Sequence, residues 1–250
     1  MVCPAAPSPP DAPRARIAGH HRDLHAREPG ARAGGGAAAG GIAEWTVDGV
    51  DATGLAWGMV VSSGRTKHWT RVEYERLIDL GAFRPGERLE LVGGALLVSE
   101  PQGGPHFTAI GLVEDALRQV FGSGWTVRAQ GPIALDEDSE PEPDLAVVQG
   151  SRRDHSRSHP SHPVLIVEVA ESSLAFDRGE KGSLYARAGI ADYWILNLPD
   201  RVLEVYRDPV AAPHAPYRYR YGATITLGPR DTASPLAAPT AAILVADLLP

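Results

Sequence analysis

A chain of 250 residues with 43% hydrophobic content can bury one sizeable core, and no run approaches the roughly 18 apolar residues that a membrane span requires. One cysteine, Cys3, excludes an internal disulfide framework and a cysteine-based zinc site, so the expectation is a soluble cytoplasmic protein. The net charge of −7 (24 basic residues against 31 acidic) runs against the basic balance usual in nucleic-acid enzymes, although the distribution of charge matters more than its sum.

Residues 1–64 hold PAAPSPPDAPRAR and ARAGGGAAAGG, Pro/Ala/Gly-rich stretches without sustained periodicity. Such composition cannot bury enough apolar surface to offset chain entropy, so this segment reads as a disordered tail. It has no continuous apolar stretch of the secretory type. Met59, just ahead of the first clear helix, is an alternative start. From HWTRVEYERLIDLGAF onward the patterning is regular. Thr70 with Glu73 three residues later signals a helix start, and Gly81 its end. RLELVGGALLVSE reads as a hairpin turning at Gly93-Gly94. HFTAIGLVEDALRQVFG carries a helical apolar stripe that stops at Gly122. WTVRAQGPIAL reads as a strand, followed by an acidic loop and the strand DLAVVQ. Beyond the polar loop SRRDHSRSHPSHP come the strand VLIVEVA, a helix from about Phe176 to Ala188, the strand DYWILNL and its return VLEVYRD. Past Val210 the pattern suggests short irregular strands. This order predicts an α/β (α+β) sandwich, a mixed central β-sheet flanked by helices. The domain spans 65–210, with 211–250 as a C-terminal extension of it.

Chemistry concentrates in three segments. Glu168 lies among Leu165, Ile166, Val167, Val169 and Ala170, a run without alternation and therefore a strand covered on both faces. A carboxylate there must be paired or bind a cation, because a buried ion loses several kcal/mol of hydration. The pairing alternative is a salt bridge to Arg178 or Arg187. Asp144 follows Pro143, whose fixed φ suits a strand start and sets the carboxylate at the sheet edge. Two such acids on neighbouring strands would hold Mg²⁺ or Mn²⁺, hard cations that take few carboxylates and keep much of their water. Lys181 is one of only two lysines, the other being Lys67. Its retention in an arginine-rich chain points to a task for a compact ammonium with a movable pKa; the bland alternative is chance survival on a solvated helix face. Together, two acids and a lysine would make a site for cutting a phosphodiester.

Glu90 alternates with Leu89 and Leu91 and faces away from both; its simplest reading is an exposed hairpin carboxylate. His106 follows GGP at a helix start and either reaches the same cavity or only begins the helix. His155, His159 and His162 sit among Ser, Arg and Pro without a completing acid or cysteine, which favours a solvated loop over zinc. Asp177, Arg178 and Glu180 read as helix capping and charge balance. No Gly-rich phosphate loop or Ser–His–Asp signature is present.

RLELVGGALLVSEP, HFTAIGLVEDAL, EPDLAVV, VLIVEVAESS, DRGEKGSLYARAGIADYWILN and VLEVYR, in this order and spacing, resemble the Uma-type restriction endonuclease family, a branch of the PD-(D/E)xK nuclease superfamily. The resemblance runs from about Tyr74 to Arg207. It implies a restriction-endonuclease-like core in which Asp144 is the PD acid and Glu168 the second acid. Ala170 stands where the lysine of the motif is usual, and the lysine has moved to the next helix as Lys181. Glu90 and His106 match further positions of the family, while the VGG turn departs from its more usual Asp-Gly or Asn-Gly. The implied activity is Mg²⁺- or Mn²⁺-assisted hydrolysis of DNA, with Asp144, Glu168 and Glu90 at the metal and Lys181 assisting the attacking water. The alternative is a catalytically silent DNA-binding or regulatory module on the same fold. A homodimer would suit cleavage of both strands, but no interface motif is visible.

Overall fold

Thr70 caps the first helix of the computed structural model, which describes residues 65–99 and 102–250. The expected tail 1–64, with Cys3 and Met59, lies outside the described residues. In α1 (Arg71–Asp79) Thr70 and Glu73 form the reciprocal capping box that their spacing predicts. The hairpin follows as β1 (Leu89–Val92) and β2 (Ala95–Val98), turning through Gly93 and Gly94, both at positive φ. The apolar stripe becomes α2 (Gly104–Phe121), closed by Gly122 at φ 62°.

Six strands build the central sheet in the order β3-β4-β5-β6-β7-β8. They are β3 (Trp125–Ala129), β4 (Leu145–Gln149), β5 (Leu165–Ala170), β6 (Asp192–Asn197), β7 (Val202–Ala211) and β8 (Tyr219–Leu227). β5 and β6 are parallel and every other neighbouring pair is antiparallel, which makes the sheet mixed. Parallel neighbours need a crossover. Here it is a helical segment in three parts: α3 (Leu174–Phe176), a π-helical turn (Asp177–Lys181) and α4 (Gly182–Arg187).

Strand alternation sends the two faces of the sheet to different partners. Val127, Leu145, Val147, Leu165, Val167, Val169, Trp194 and Leu196 pack with Val113 and Leu117 of α2. Ala146, Val148, Ile166, Ala170, Tyr193 and Ile195 pack with Tyr185 and Ala186 of α4. All six residues of β5 are buried, as its unbroken apolar run requires. Full burial of each aliphatic side chain is worth roughly 1.5–3 kcal/mol against exposure, so an acid accepted into this strand must be offset locally. Among the described residues no helix is long and apolar enough to cross a membrane.

Three expectations need correction. The strand anticipated over WTVRAQGPIAL stops at Ala129, where Gln130 turns the chain at φ 49°. The helix anticipated from Phe176 to Ala188 begins at Leu174 and is interrupted by the π turn. Past Val210 the chain first forms a nine-residue strand, β8, paired with β7, and only after it the short strands expected there. β7 tolerates Pro209 because β6 pairs with it only as far as Arg207, which leaves the proline at an edge. Two short strands, β9 (Thr232–Ala233) and β10 (Ile243–Leu244), and a 3₁₀ turn (Val245–Leu248) return buried side chains to the α2 face of the core.

Candidate active site

Asp144 stands one residue ahead of β4, and the register pairing Leu145 with Val167 puts it on the rung opposite Glu168. The two acids fasten each other's strands. The Asp144 backbone N–H donates to Glu168 Oε2 at 3.2 Å, and the Val169 backbone N–H donates to Asp144 Oδ2 at 2.8 Å. By parity with Ala146 and Ile166, both carboxylates lie on the face covered by the crossover helix.

That helix supplies the partners of Glu168. Lys181 Nζ donates to Glu168 Oε1 at 3.0 Å, and the Tyr185 hydroxyl donates to the same oxygen at 2.7 Å. Lys181 Nζ also lies 3.6 Å from Glu90 Oε1, while Glu90 Oε2 accepts the Glu142 backbone N–H at 3.0 Å. The hairpin is held in place by reciprocal backbone bonds between Leu91 and Glu140, at 3.2 and 2.7 Å. From the other side, His106 Nε2 donates to Asp144 Oδ2 at 3.0 Å, a direction set by the acceptor-only carboxylate. Gln102 Nε2 reaches Asp144 Oδ1 at 3.4 Å. Glu90, Asp144, Glu168 and Lys181 are thus brought together, each less than a tenth exposed, with His106 at their rim.

Asp177 is a fourth acid in the cluster. It is 3% exposed, accepts the Ser173 hydroxyl at 2.5 Å, and shares the π turn with Lys181. It does not cap a helix start, as the sequence suggested, because α3 precedes it and the crossover turns it inward. Tyr185 and Gln102 also went unread. The signal for two of the three was the spacing Asp177–Lys181–Tyr185, four residues each, which marks one helix face.

Burial pushes Glu168 up to about 8; the Lys181 charge and the Tyr185 hydrogen bond oppose this, while the Asp144 and Asp177 charges add to it. Burial likewise pushes Asp177 up to about 6, against Lys181 and Ser173. For Lys181, burial disfavours the ammonium, but Glu168, Glu90 and Asp177 outweigh it and hold the group above the ordinary lysine range. These directions agree. One ammonium cannot neutralise four carboxylates, so the lysine keeps its proton while Glu168 and Asp177 hold theirs to higher pH than ordinary carboxyls. His106 is treated similarly: burial lowers it, yet the Asp144 hydrogen bond and charge raise it above the usual imidazole range.

Neither arginine considered as a partner for Glu168 reaches it. Arg178 bonds Glu204 on β7 at 2.9 Å, and Arg187 bonds Asp136 and Asp138 at 2.8 and 2.7 Å. Glu90 is buried and not the exposed hairpin carboxylate of the simplest reading. The loop histidines do not converge: His155 bonds the Gln149 carbonyl, His162 bonds Ser161, and His159 lies 3.9 Å from Glu140. Among the described residues, no three His, Cys, Asp or Glu side chains are gathered closely enough to hold a metal ion. In the acid cluster the space between Glu168 and Glu90 is taken by Lys181 Nζ. The chemistry of the donors, though not their present spacing, suits a hard divalent cation. They offer carboxylate oxygens only, and four buried acids against one lysine leave negative charge to be met.

Three comparisons bear on this arrangement. A putative nuclease of the DUF820 group from Anabaena variabilis, known from its crystal structure, superposes with a TM-score of 0.54 at 16% identity, covering 72% of this chain and 97% of its own. At that identity the likeness establishes the fold. No curated protein matches the chain. The family described as "Uma2: Putative restriction endonuclease" matches residues 71–237, which contain the whole acid cluster and all of the central sheet. The chain belongs to the Uma2 family.

Proposed function

We propose that this chain is a metal-dependent endonuclease that hydrolyses DNA phosphodiesters. The observation that carries the reading is the charge imbalance at the paired ends of β4 and β5: Glu90, Asp144, Glu168 and Asp177 are buried around one lysine. Asp144 and Glu168 would hold Mg²⁺ or Mn²⁺, with Glu90 adding a third carboxylate from the hairpin. When bound, such an ion lowers the pKa of a water and offsets charge on the phosphate. The remaining work falls to the chain. Lys181 orients the attacking water or takes up charge on non-bridging oxygens, an electrostatic role that needs a permanent cation close to the acids. Tyr185 fixes the Glu168 carboxylate, and His106 does the same for Asp144, in the manner of groups that orient metal ligands.

The net charge of −7 favours a second reading, a silent regulatory or DNA-binding module. One assay separates the two. Supercoiled plasmid is incubated with Mg²⁺ or Mn²⁺ and wild type, Glu168→Ala or Lys181→Met. Nicking by wild type that disappears in both variants and in chelator is the expected result. Absence of nicking, or equal nicking by all three proteins, would remove the catalytic reading.

A further inference from the structure

Lys181 Nζ is not merely near the acids. It sits between two of them, 3.0 Å from Glu168 Oε1 and 3.6 Å from Glu90 Oε1, in a setting less than a tenth exposed. These are two of the three carboxylates proposed as metal ligands, and among the described residues no three acidic or imidazole side chains converge as a ready ligand set. From this geometry we infer that the Lys181 ammonium is the resident cation of the carboxylate cage, and that a divalent cation binds by exchange with it. The inference rests on the metal reading above and adds a step of its own.

A divalent cation and the ammonium would compete for the same oxygens. Glu168 Oε1 already accepts Lys181 and Tyr185, and its other oxygen accepts the Asp144 backbone N–H. A cation entering beside an ammonium in a low-dielectric site meets strong like-charge repulsion, so both cannot keep the same oxygens. The lysine must withdraw from Glu168 and Glu90, and the π turn provides where it goes. Asp177 lies four residues back in the same π turn and, like Lys181, is buried. π-helical turns are frequent where a helix must present functional groups. Here the turn brings Asp177 and Lys181 to one face. Asp177 is therefore a positioning residue: it retains the ammonium beside the acid cluster after Glu168 and Glu90 are given up.

The small lysine content makes the step directly observable. Lys67 is exposed and paired with Glu73, away from the cluster, so Lys67→Arg leaves Lys181 as the single lysine. In that protein, labelled at the lysine ε-carbon, saturating Mg²⁺ is expected to shift the one ε-resonance. An unmoved resonance at demonstrated saturation overturns the exchange. Titration calorimetry with Mg²⁺ supplies the second readout. Lys181→Met should bind about tenfold more tightly than wild type, as expected when a competing charge is removed. Equal or weaker binding by Lys181→Met, with its fold intact by circular dichroism, overturns it. Asp177→Asn should weaken Mg²⁺ binding several-fold in the native background and have no effect in the Lys181→Met background, because it acts through the lysine. Equal weakening in both backgrounds overturns the positioning role. Neither readout uses cleavage, so exchange without nicking leaves this inference standing while the nuclease reading fails. No Mg²⁺ binding by any of the proteins removes the metal reading and the exchange together.

Discussion

The Tyr185 hydroxyl shows how much of the cluster depends on single bonds. It donates to Glu168 Oε1 from a fully buried position, and a hydrogen bond to a charged group contributes more than a neutral one. Tyr185→Phe is expected to lower stability by about 1–2 kcal/mol, measured by urea denaturation. The acids also set a pH dependence. Asp177 and Glu168 are raised to about 6 and about 8 from ordinary values of 3.8 and 4.5. A group raised in the folded state contributes stability that is full below its unfolded pKa and lost as pH climbs through the folded one. In metal-free buffer the protein should therefore lose stability as pH rises from about 4 to about 8, and Glu168→Gln should flatten the upper part of that decline. Glu140, buried against Glu75 and raised to about 7, falls in the same window; Glu140→Gln separates its share.

Elements aim these side chains. The β1–β2 hairpin delivers Glu90, and its turn needs glycine twice: Gly93 and Gly94 lie at φ 54° and 79°. A Cβ on Gly93 would overlap the Tyr217 ring. Gly93→Ala is expected to destabilise by about 1–3 kcal/mol through strain and displacement of that ring. Because the hairpin carries Glu90, the same change should weaken Mg²⁺ binding, which calorimetry reads alongside denaturation. Gly179 in the π turn makes the contrast. Nothing lies within 4 Å of a Cβ placed there, and its φ is ordinary. Gly179→Ala should raise stability by about 0.5–1 kcal/mol in thermal or urea denaturation, because it removes backbone freedom from the unfolded chain.

At the scale of the molecule, the site is where a parallel pair, an antiparallel pair and a hairpin meet. β4 and β5 set the two acids opposite each other, the β5–β6 crossover lays Lys181 over them, and the Leu91–Glu140 bonds dock the hairpin. The last forty residues are part of this construction. β8 pairs along β7, and Ala233, Ile243, Val245, Leu248 and Leu249 enter the core beneath α2. A chain stopped at residue 210 should lose near-ultraviolet circular dichroism and bind a hydrophobic dye, since β7 would lack its partner and the core several buried side chains. Retained native signal and a cooperative transition would contradict this.

The pattern of residues was enough for what depends on neighbours along the chain. Thr70 with Glu73, the Gly93-Gly94 turn, Gly122 and the unbroken run around Glu168 each declare a cap, a turn, a stop or a buried strand, because capping, positive φ and burial on two faces act within a few residues. The same locality exposed Glu168 as an acid in need of a partner and made Lys181 conspicuous in an arginine-rich chain. Which partner meets which acid was settled by contacts across the sheet. Arg178 and Arg187 flank Lys181 in sequence, yet the crossover turns them to Glu204 and to Asp136 and Asp138, while Lys181 turns inward. Asp177 read as a cap because its inward direction comes from the π turn, which lies in the crossover between β5 and β6. β8 was obscured by Gly222 and the prolines around it, since its strand conformation is fixed by hydrogen bonds to β7. Local propensity chose the elements; pairing between distant segments chose their directions, and the site exists only where those directions converge.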